Sequence, residues 1–182
     1  MDPNFARSVV LMLEHSSEGA LGLVLNNPLP TKLGDVAQGL QLQWLGDADA
    51  RVRLGGPVEP IRGWILHDQA TWDPSADEVM PGVYVTTSLE PVTTAGRNRI
   101  GHRGSNYQLL LGYAGWAPTQ LESEIAAGSW VAVPFDLDGL GFGLSPRFVF
   151  DVDPAQMWDE ALRSIGVDPA RMTRRAGDAA RA

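Results

Sequence analysis

The chain has 182 residues, with 14 Lys and Arg against 22 Asp and Glu, a net charge of -8 and no cysteine. That length suits one ordinary domain with a sizeable core, and the missing thiols exclude disulfides, thiolate zinc sites and a cysteine nucleophile. The acidic balance opposes sequence-independent nucleic-acid binding; with no apolar run of roughly 18 residues and an acidic Met1-Asp2-Pro3-Asn4 start, no membrane span is expected and a cytoplasmic protein is.

Val9 to Leu13 and Leu21 to Leu25 are short apolar runs that read as strands buried on both faces, joined by a hairpin loop at His15-Ser16-Ser17-Glu18-Gly19. Glu14 and His15 then stand at the exit of the first strand and Asn26 at the exit of the second. Leu33, Val36, Ala37 and Leu40 fall at i, i+3, i+4 and i+7, which predicts a short helix with Thr31 as its cap. Arg51 to Leu54 alternates like a half-exposed strand and runs into Gly55-Gly56-Pro57. Pro57 and Pro60 frame a loop, and Trp64 to Leu66 forms a strand with His67-Asp68 at its exit. Thr71 to Pro81 has the composition of a surface loop, and Val83 to Thr87 that of a strand. Leu89 to Ile100 is compatible with a helix broken near Gly96, leading into a basic loop with Arg97, Arg99, His102 and Arg103.

The stretch from Leu109 to Trp130 reads as strand, turn, helix. Three leucines enter a glycine-flanked aromatic turn, Gly112-Tyr113-Ala114-Gly115-Trp116, in which Gly115 is expected to need glycine. A helix from Pro118 to Ala127 then places Gln120 and Glu124 on one face beside a buried stripe of Leu121 and Ile125. Thr119 and Glu122 have the spacing of a capping box. Trp130 to Pro134 reads as a further strand, followed by a glycine-rich passage from Asp136 to Gly143. Asp153 caps the clearest helix: Pro154 takes its first position, Trp158, Ala161, Leu162 and Ile165 form its stripe, and Gly166 stops it. Hairpins among irregularly alternating strands and helices favour an α+β arrangement with a mixed sheet over a doubly wound parallel one.

Few motifs carry chemistry. His15, His67 and His102 show no metal spacing, but His15 and His67 each follow an apolar strand. If those exits and the aromatic turn share one sheet edge, Glu14, His15, His67, Tyr113, Trp116, Gln120 and Glu124 line a single cleft; the bland reading is that each imidazole bonds loop backbone. Gly55-Gly56 suits either an anion cradle or a tight turn. Gly139, Gly141 and Gly143 lack the third glycine and helix of a dinucleotide fingerprint, and nucleophile-elbow, phosphate-loop and EF-hand patterns are missing. No cofactor is expected.

In order along the chain, Asp2-Pro3-x-Phe5, Glu14-His15 with Gly19-Ala20-x-Gly22 and Asn26-x-Pro28, Gly55-Gly56-Pro57-Val58, Arg62-Gly63 with Leu66-His67, Gly112 to Trp116 with Gln120-Leu121-Glu122-x-Glu124, Trp130, and the Trp158 to Gly166 helix resemble the AlgH family, also called YqgE-like proteins. The resemblance implies a compact α+β fold with a mixed, partly barrel-like sheet surrounded by short helices. The chain is read as one AlgH-like domain over residues 1–173, and the small, polar residues 174–182 as a frayed tail. The resemblance also implies a bacterial cytoplasmic protein without established enzymatic activity and with a regulatory association, and it places Asn26 near the cleft. The expected function is non-enzymatic binding of a small molecule or a protein; the competing expectation is a metal-assisted hydrolase using the same His and Glu residues. The basic loop departs from the family pattern and is not expected to be a nucleic-acid site, since the net charge repels polyanions.

Overall fold

The computed structural model describes residues 5–88, 99–100 and 106–172. The expected helix near Gly96, the basic residues Arg97, His102 and Arg103, and the tail 174–182 lie outside them. In chain order the strands are β1 (Val10–Ser16), β2 (Gly19–Val24), β3 (Pro28–Lys32), β4 (Gln43–Trp44), β5 (Arg51–Leu54), β6 (Val58–His67), β7 (Asp77–Met80), β8 (Val83–Thr86), β9 (Arg99–Ile100) and β10 (Tyr107–Trp116). Helix α1 (Leu33–Gly39) lies between β3 and β4, and α2 (Gln120–Ala126), α3 (Phe148–Asp151) and α4 (Pro154–Ser164) follow β10. Eight strands form one mostly antiparallel, nearly closed, barrel-like sheet, with β4 and β9 paired separately.

The long strand β10 organises this sheet. One of its edges pairs with β6 from Tyr107↔His67 to Tyr113↔Val58; its other edge takes β5 in parallel at Leu110 and Leu111, then β2 antiparallel at Ala114 to Trp116. The expected aromatic turn at Gly112 to Trp116 is therefore corrected to continuous strand. The misreading has a cause: Gly112 takes φ 70 at a register shift between Leu111 and Tyr113, so a residue that signals a turn here makes a bulge. A side chain at Gly112 would meet the backbone oxygens of Gly56 and Val58, and one at Gly56 (φ 153) would meet the Tyr113 backbone. Gly115 has no such constraint: it is exposed and its φ is not positive, so the expected need for glycine falls on Gly112 instead.

Other expectations fail for related reasons. The loop framed by Pro57 and Pro60 is the first part of β6, and β7 lies inside the expected loop from Thr71 to Pro81. Trp130 to Pro134 forms no strand; only a bridge from Phe135 to Leu144 follows it. β1 stands at one end of the strand order and exposes Met12, so it is not buried on both faces. Lys32, not Thr31, is the N-cap of α1, without a side-chain bond.

The main core joins Leu11, Leu23, Leu25, Trp64, Leu66 and Leu110 to Val149 of α3 and to Met157 and Ala161 of α4. Alternation on β6 sends Ile65 to the opposite face, where it packs with Ala37 of α1, Leu42 and Tyr107. The capping signals of α4 hold: Asp153 accepts a bond from the Ala155 amide at 2.8 Å, Pro154 opens the helix, and Gly166 ends it at φ 75; its buried stripe, however, is Met157, Ala161 and Leu162, with the expected Trp158 and Ile165 only half-buried. Among the described residues no helix is long and apolar enough to cross a membrane.

Candidate functional site

The shared cleft depends on three strand ends meeting, and β10 keeps them apart. His67 pairs with Tyr107 at the start of β10, whereas Trp116 lies nine residues on, about 30 Å along an extended chain. His15 belongs with Trp116, since both pair with Ala20 of β2. A cleft holding both imidazoles is not formed. Among the described residues no group of three or more metal-ligating side chains converges.

At the Trp116 end the polar groups are already matched to one another. Glu124 accepts from Trp116 Nε1 at 3.0 Å and Trp130 Nε1 at 2.7 Å through one oxygen, and from Gln120 Nε2 at 2.8 Å through the other. Gln120 Oε1 accepts in turn from the Ala117 amide at 3.0 Å. The bonds from Gln120 and Trp130 hold the Glu124 carboxyl below its ordinary range. Phe5 stacks on Trp116 and meets Trp130 edge-on, so the cluster fastens α2 and the N-terminal turn to the sheet. Gln120 and Glu124 do share a helix face, but they are spent on this clamp. Glu122, expected to cap with Thr119, instead bonds His15 Nε2 at 2.6 Å; Thr119 lies at φ 65 and makes no side-chain cap. Ile125 is exposed, leaving Leu121 as the buried residue of α2. Glu14 is exposed and makes no bond in this cluster.

The Tyr107 end is of the opposite kind. His67 is 0% exposed, faces Trp72 edge-on at 4.8 Å and stacks with Tyr84 at 5.5 Å and Tyr107 at 6.1 Å. Among the described residues neither ring nitrogen has a hydrogen-bond partner. Burial pushes the imidazole pKa down; the Gln69 backbone, close but outside hydrogen-bonding geometry, and Asp73 and Asp68 pull the other way. Burial also opposes ionisation of Asp68 and Asp73, yet bonds from Gln69 and Asn106 to the first, and from Thr86 and Ser75 to the second, leave both below the usual carboxylate range. His67 is thus a core residue rather than a strand-exit ligand.

The remaining expected site residues are structural. Asn26 accepts from the Val9 amide at 2.8 Å and donates to the Arg7 carbonyl at 2.9 Å, which ties the N-terminal turn to the end of β2. The Gly55 amide bonds the Leu111 carbonyl at 2.7 Å and its own carbonyl accepts from Val24, so Gly55 and Gly56 serve close backbone packing rather than an anion cradle. Tyr113 contacts Trp64 and has the Arg62 guanidinium over its ring.

Two surface features escaped the sequence reading. A purely apolar cleft under α1, lined by Leu33, Leu40, Trp44, Ile65 and Leu109 among others, has a volume of about 50 Å³, well short of the roughly 150 Å³ that admits a benzene-sized ligand. The glycine-rich passage is the more informative. Asp136 accepts from the Leu140 amide at 2.8 Å and the Gly141 amide at 2.7 Å, closing a loop that holds Leu137 58%, Leu140 85% and Phe142 60% exposed. Beside it runs an open groove of about 520 Å³ between Leu144 and the helices α3 and α4, edged by Arg147, Asp151, Glu160 and Arg163. The signal available in the sequence was the interleaving of glycine with large apolar residues after an aspartate.

Comparison with known proteins agrees with this architecture. The AlgH-like family profile matches residues 1–170. A UPF0301 protein of Myxococcus xanthus is 44% identical over 178 residues, covering 94% of this chain and 87% of the relative. The solution structure of AlgH from Pseudomonas aeruginosa superposes with a TM-score of 0.66 at 31% identity, covering 94% of this chain and 86% of that one. A crystal structure from Corynebacterium diphtheriae, at 19% identity and a TM-score of 0.65, shares the fold. A barrel-like sheet threaded by one long bulged strand, and a match along nearly the whole length of these relatives, together make this chain a member of the AlgH-like family.

Proposed function

We propose that this chain is a non-enzymatic protein-binding module whose contact surface is the loop from Asp136 to Gly143 and the groove beside it. The observation that carries the reading is the outward display of Leu137, Leu140 and Phe142 on a loop closed by Asp136. Three large apolar side chains held clear of the core cost hydration, and a patch of this kind with a polar rim suits a protein partner. Because Asp136 orders the backbone beforehand, less conformational entropy is lost on contact. Charge selects the class of partner. Asp136 and Asp138 stand in the loop itself, and the chain carries -8, which disfavours nucleic acid and anionic lipid and favours a protein with an apolar recess and a basic rim. A regulatory role through such a partner accords with this surface.

The test pairs Leu140→Ser with Phe142→Ser in one chain. Both side chains are exposed, so the melting temperature should hold. A partner isolated with the native chain from its source cells, then purified and titrated, should bind the double variant about tenfold or more weakly, as for loss of a buried apolar anchor. Equal affinity for the two chains would remove the loop from the interface.

A further inference from the structure

The arginines of this protein are partnered in an unexpected way. Arg7, Arg62, Arg147 and Arg163, whose side chains are largely exposed, each have a carboxylate within 4.0 Å. Arg53, which is less exposed, has none among the described residues; the exposed Arg51 and Arg171 also have none, but water solvates them. A cation removed from water ordinarily needs a paired charge more than an exposed one does. Burial accordingly pushes the Arg53 pKa down to about 10, against the pull of the more distant Asp153.

The guanidinium is also fixed in orientation. Its Nη1 donates to the Leu25 carbonyl at 2.6 Å and to Gln108 Oε1 at 3.0 Å, while Gln108 is itself held by the Val149 carbonyl at 2.6 Å. Nε and Nη2 have no hydrogen-bond partner among the described residues, and neither is sealed from solvent. One nitrogen is therefore consumed by protein, and the Nε–Nη2 edge is left without a partner among the described residues and is not fully sealed. That edge presents two parallel donors in the geometry that a carboxylate accepts side-on. Arg51, two residues along the same face of β5, adds a second cation; its Nη1 is likewise spent on a carbonyl, that of Pro30, at 2.6 Å.

We propose that Arg53 is the anchor of a small-molecule binding site that takes a carboxylate on its free Nε–Nη2 edge. Such a ligand completes the ion pair that this partly buried cation lacks. A monoanion fits better than a phosphate dianion, because Asp153 already supplies part of the compensating field and a single edge is free. The site stands apart from the glycine-rich loop and does not depend on its role in docking.

The experiment follows the Arg53 Nε–H signal by nitrogen-15 NMR of the full chain while sodium acetate is added at constant ionic strength, with sodium phosphate in a parallel series. Acetate should shift the Arg53 signal saturably and more strongly than those of Arg62 and Arg163. Arg53→Lys keeps the charge without the two-donor edge; it should remain folded by its amide spectrum and hold acetate about tenfold or more weakly, read from the amides of Leu25 and Gln108. An Arg53 signal that acetate leaves unmoved would overturn the site. Saturation by phosphate at lower concentration than acetate would overturn the choice of carboxylate, and unchanged acetate binding by the lysine variant would overturn the edge geometry. The Leu140→Ser, Phe142→Ser chain should bind acetate as the native chain does, which separates this site from the docking loop.

Discussion

The two ends of β10 treat polar groups in opposite ways. At Trp116, one carboxylate collects two indole N–H groups and an amide, in a cluster that remains partly open to solvent. At Tyr107, an imidazole is fully buried against three aromatic rings and has no partner at either nitrogen among the described residues. The first end is held by specific bonds and tolerates water; the second is held by shape and stacking, and a buried polar group weakens it. Between them, the Gly112 bulge lets one strand serve both.

The largest effect should come from removing that bulge. Gly112→Val places a β-branched residue at φ 70 against the Gly56 and Val58 carbonyls and should destabilise the protein by about 3 kcal/mol or more, read as a lower denaturant midpoint. Gly115→Val, three residues on, meets only the side chains of Tyr113 and Val58, and no backbone, and should change stability by less than about 1 kcal/mol. Equal losses at the two positions would mean that the strand does not bend where the register shifts.

Glu124→Ala strips the Trp116 end of its acceptor and leaves Trp116, Trp130 and Gln120 without it, a loss of about 2 kcal/mol after allowance for solvent reaching the site. A shift in indole fluorescence should accompany the lower midpoint. His67→Phe is the complementary change. It exchanges an unpaired imidazole for an apolar ring of similar shape, so stability at pH 7.5 should be equal or up to about 1 kcal/mol higher.

The same variant should alter the pH profile. Burial holds the folded His67 below the ordinary 6.5, so as pH falls past that value the unfolded chain takes the proton first and stability drops until the folded ring titrates. Tyr84, Tyr107 and Trp72 enclose the ring, and Asp68 and Asp73 are the charges nearest it. Both carboxyls are held low and lose their contributions only in the carboxylate range, so the phenylalanine variant should be flatter just below pH 6.5. The smallest effect belongs to Glu122→Gln, which breaks an exposed pair with His15; its melting temperature at pH 7 should stay within measurement scatter.

What the sequence revealed divides along the same line. The hairpin of β1 and β2, the short helix at Leu33 and the capped helix at Asp153 rest on local periodicity and capping, and all are present. Gly112 signals a turn locally, but its conformation answers to Gly55 and Gly56, more than fifty residues earlier, and only the fold brings those glycines together. His67 ends an apolar run and so resembles an exit residue; β6 pairs through to that position, which keeps it inside. Gln120, Glu124 and Trp116 read as neighbours in the sequence and are neighbours in the fold, yet they bond to one another rather than to a ligand. Arg53 offered no local sign, because its meaning lies in a carboxylate that does not reach it.

The central place of β10 also bears on synthesis. Its partners β2, β5 and β6 leave the ribosome between 40 and 100 residues before it, each with an edge that only β10 closes. Until Trp116 has emerged, the nascent chain presents several open hydrogen-bonding edges and an unfilled core at once, so native pairing waits on a late and distant segment. Chains halted before Tyr107 should therefore sediment with aggregates or remain chaperone-bound, whereas chains carried past Ser164, with β10 and α4 both released, should resist protease.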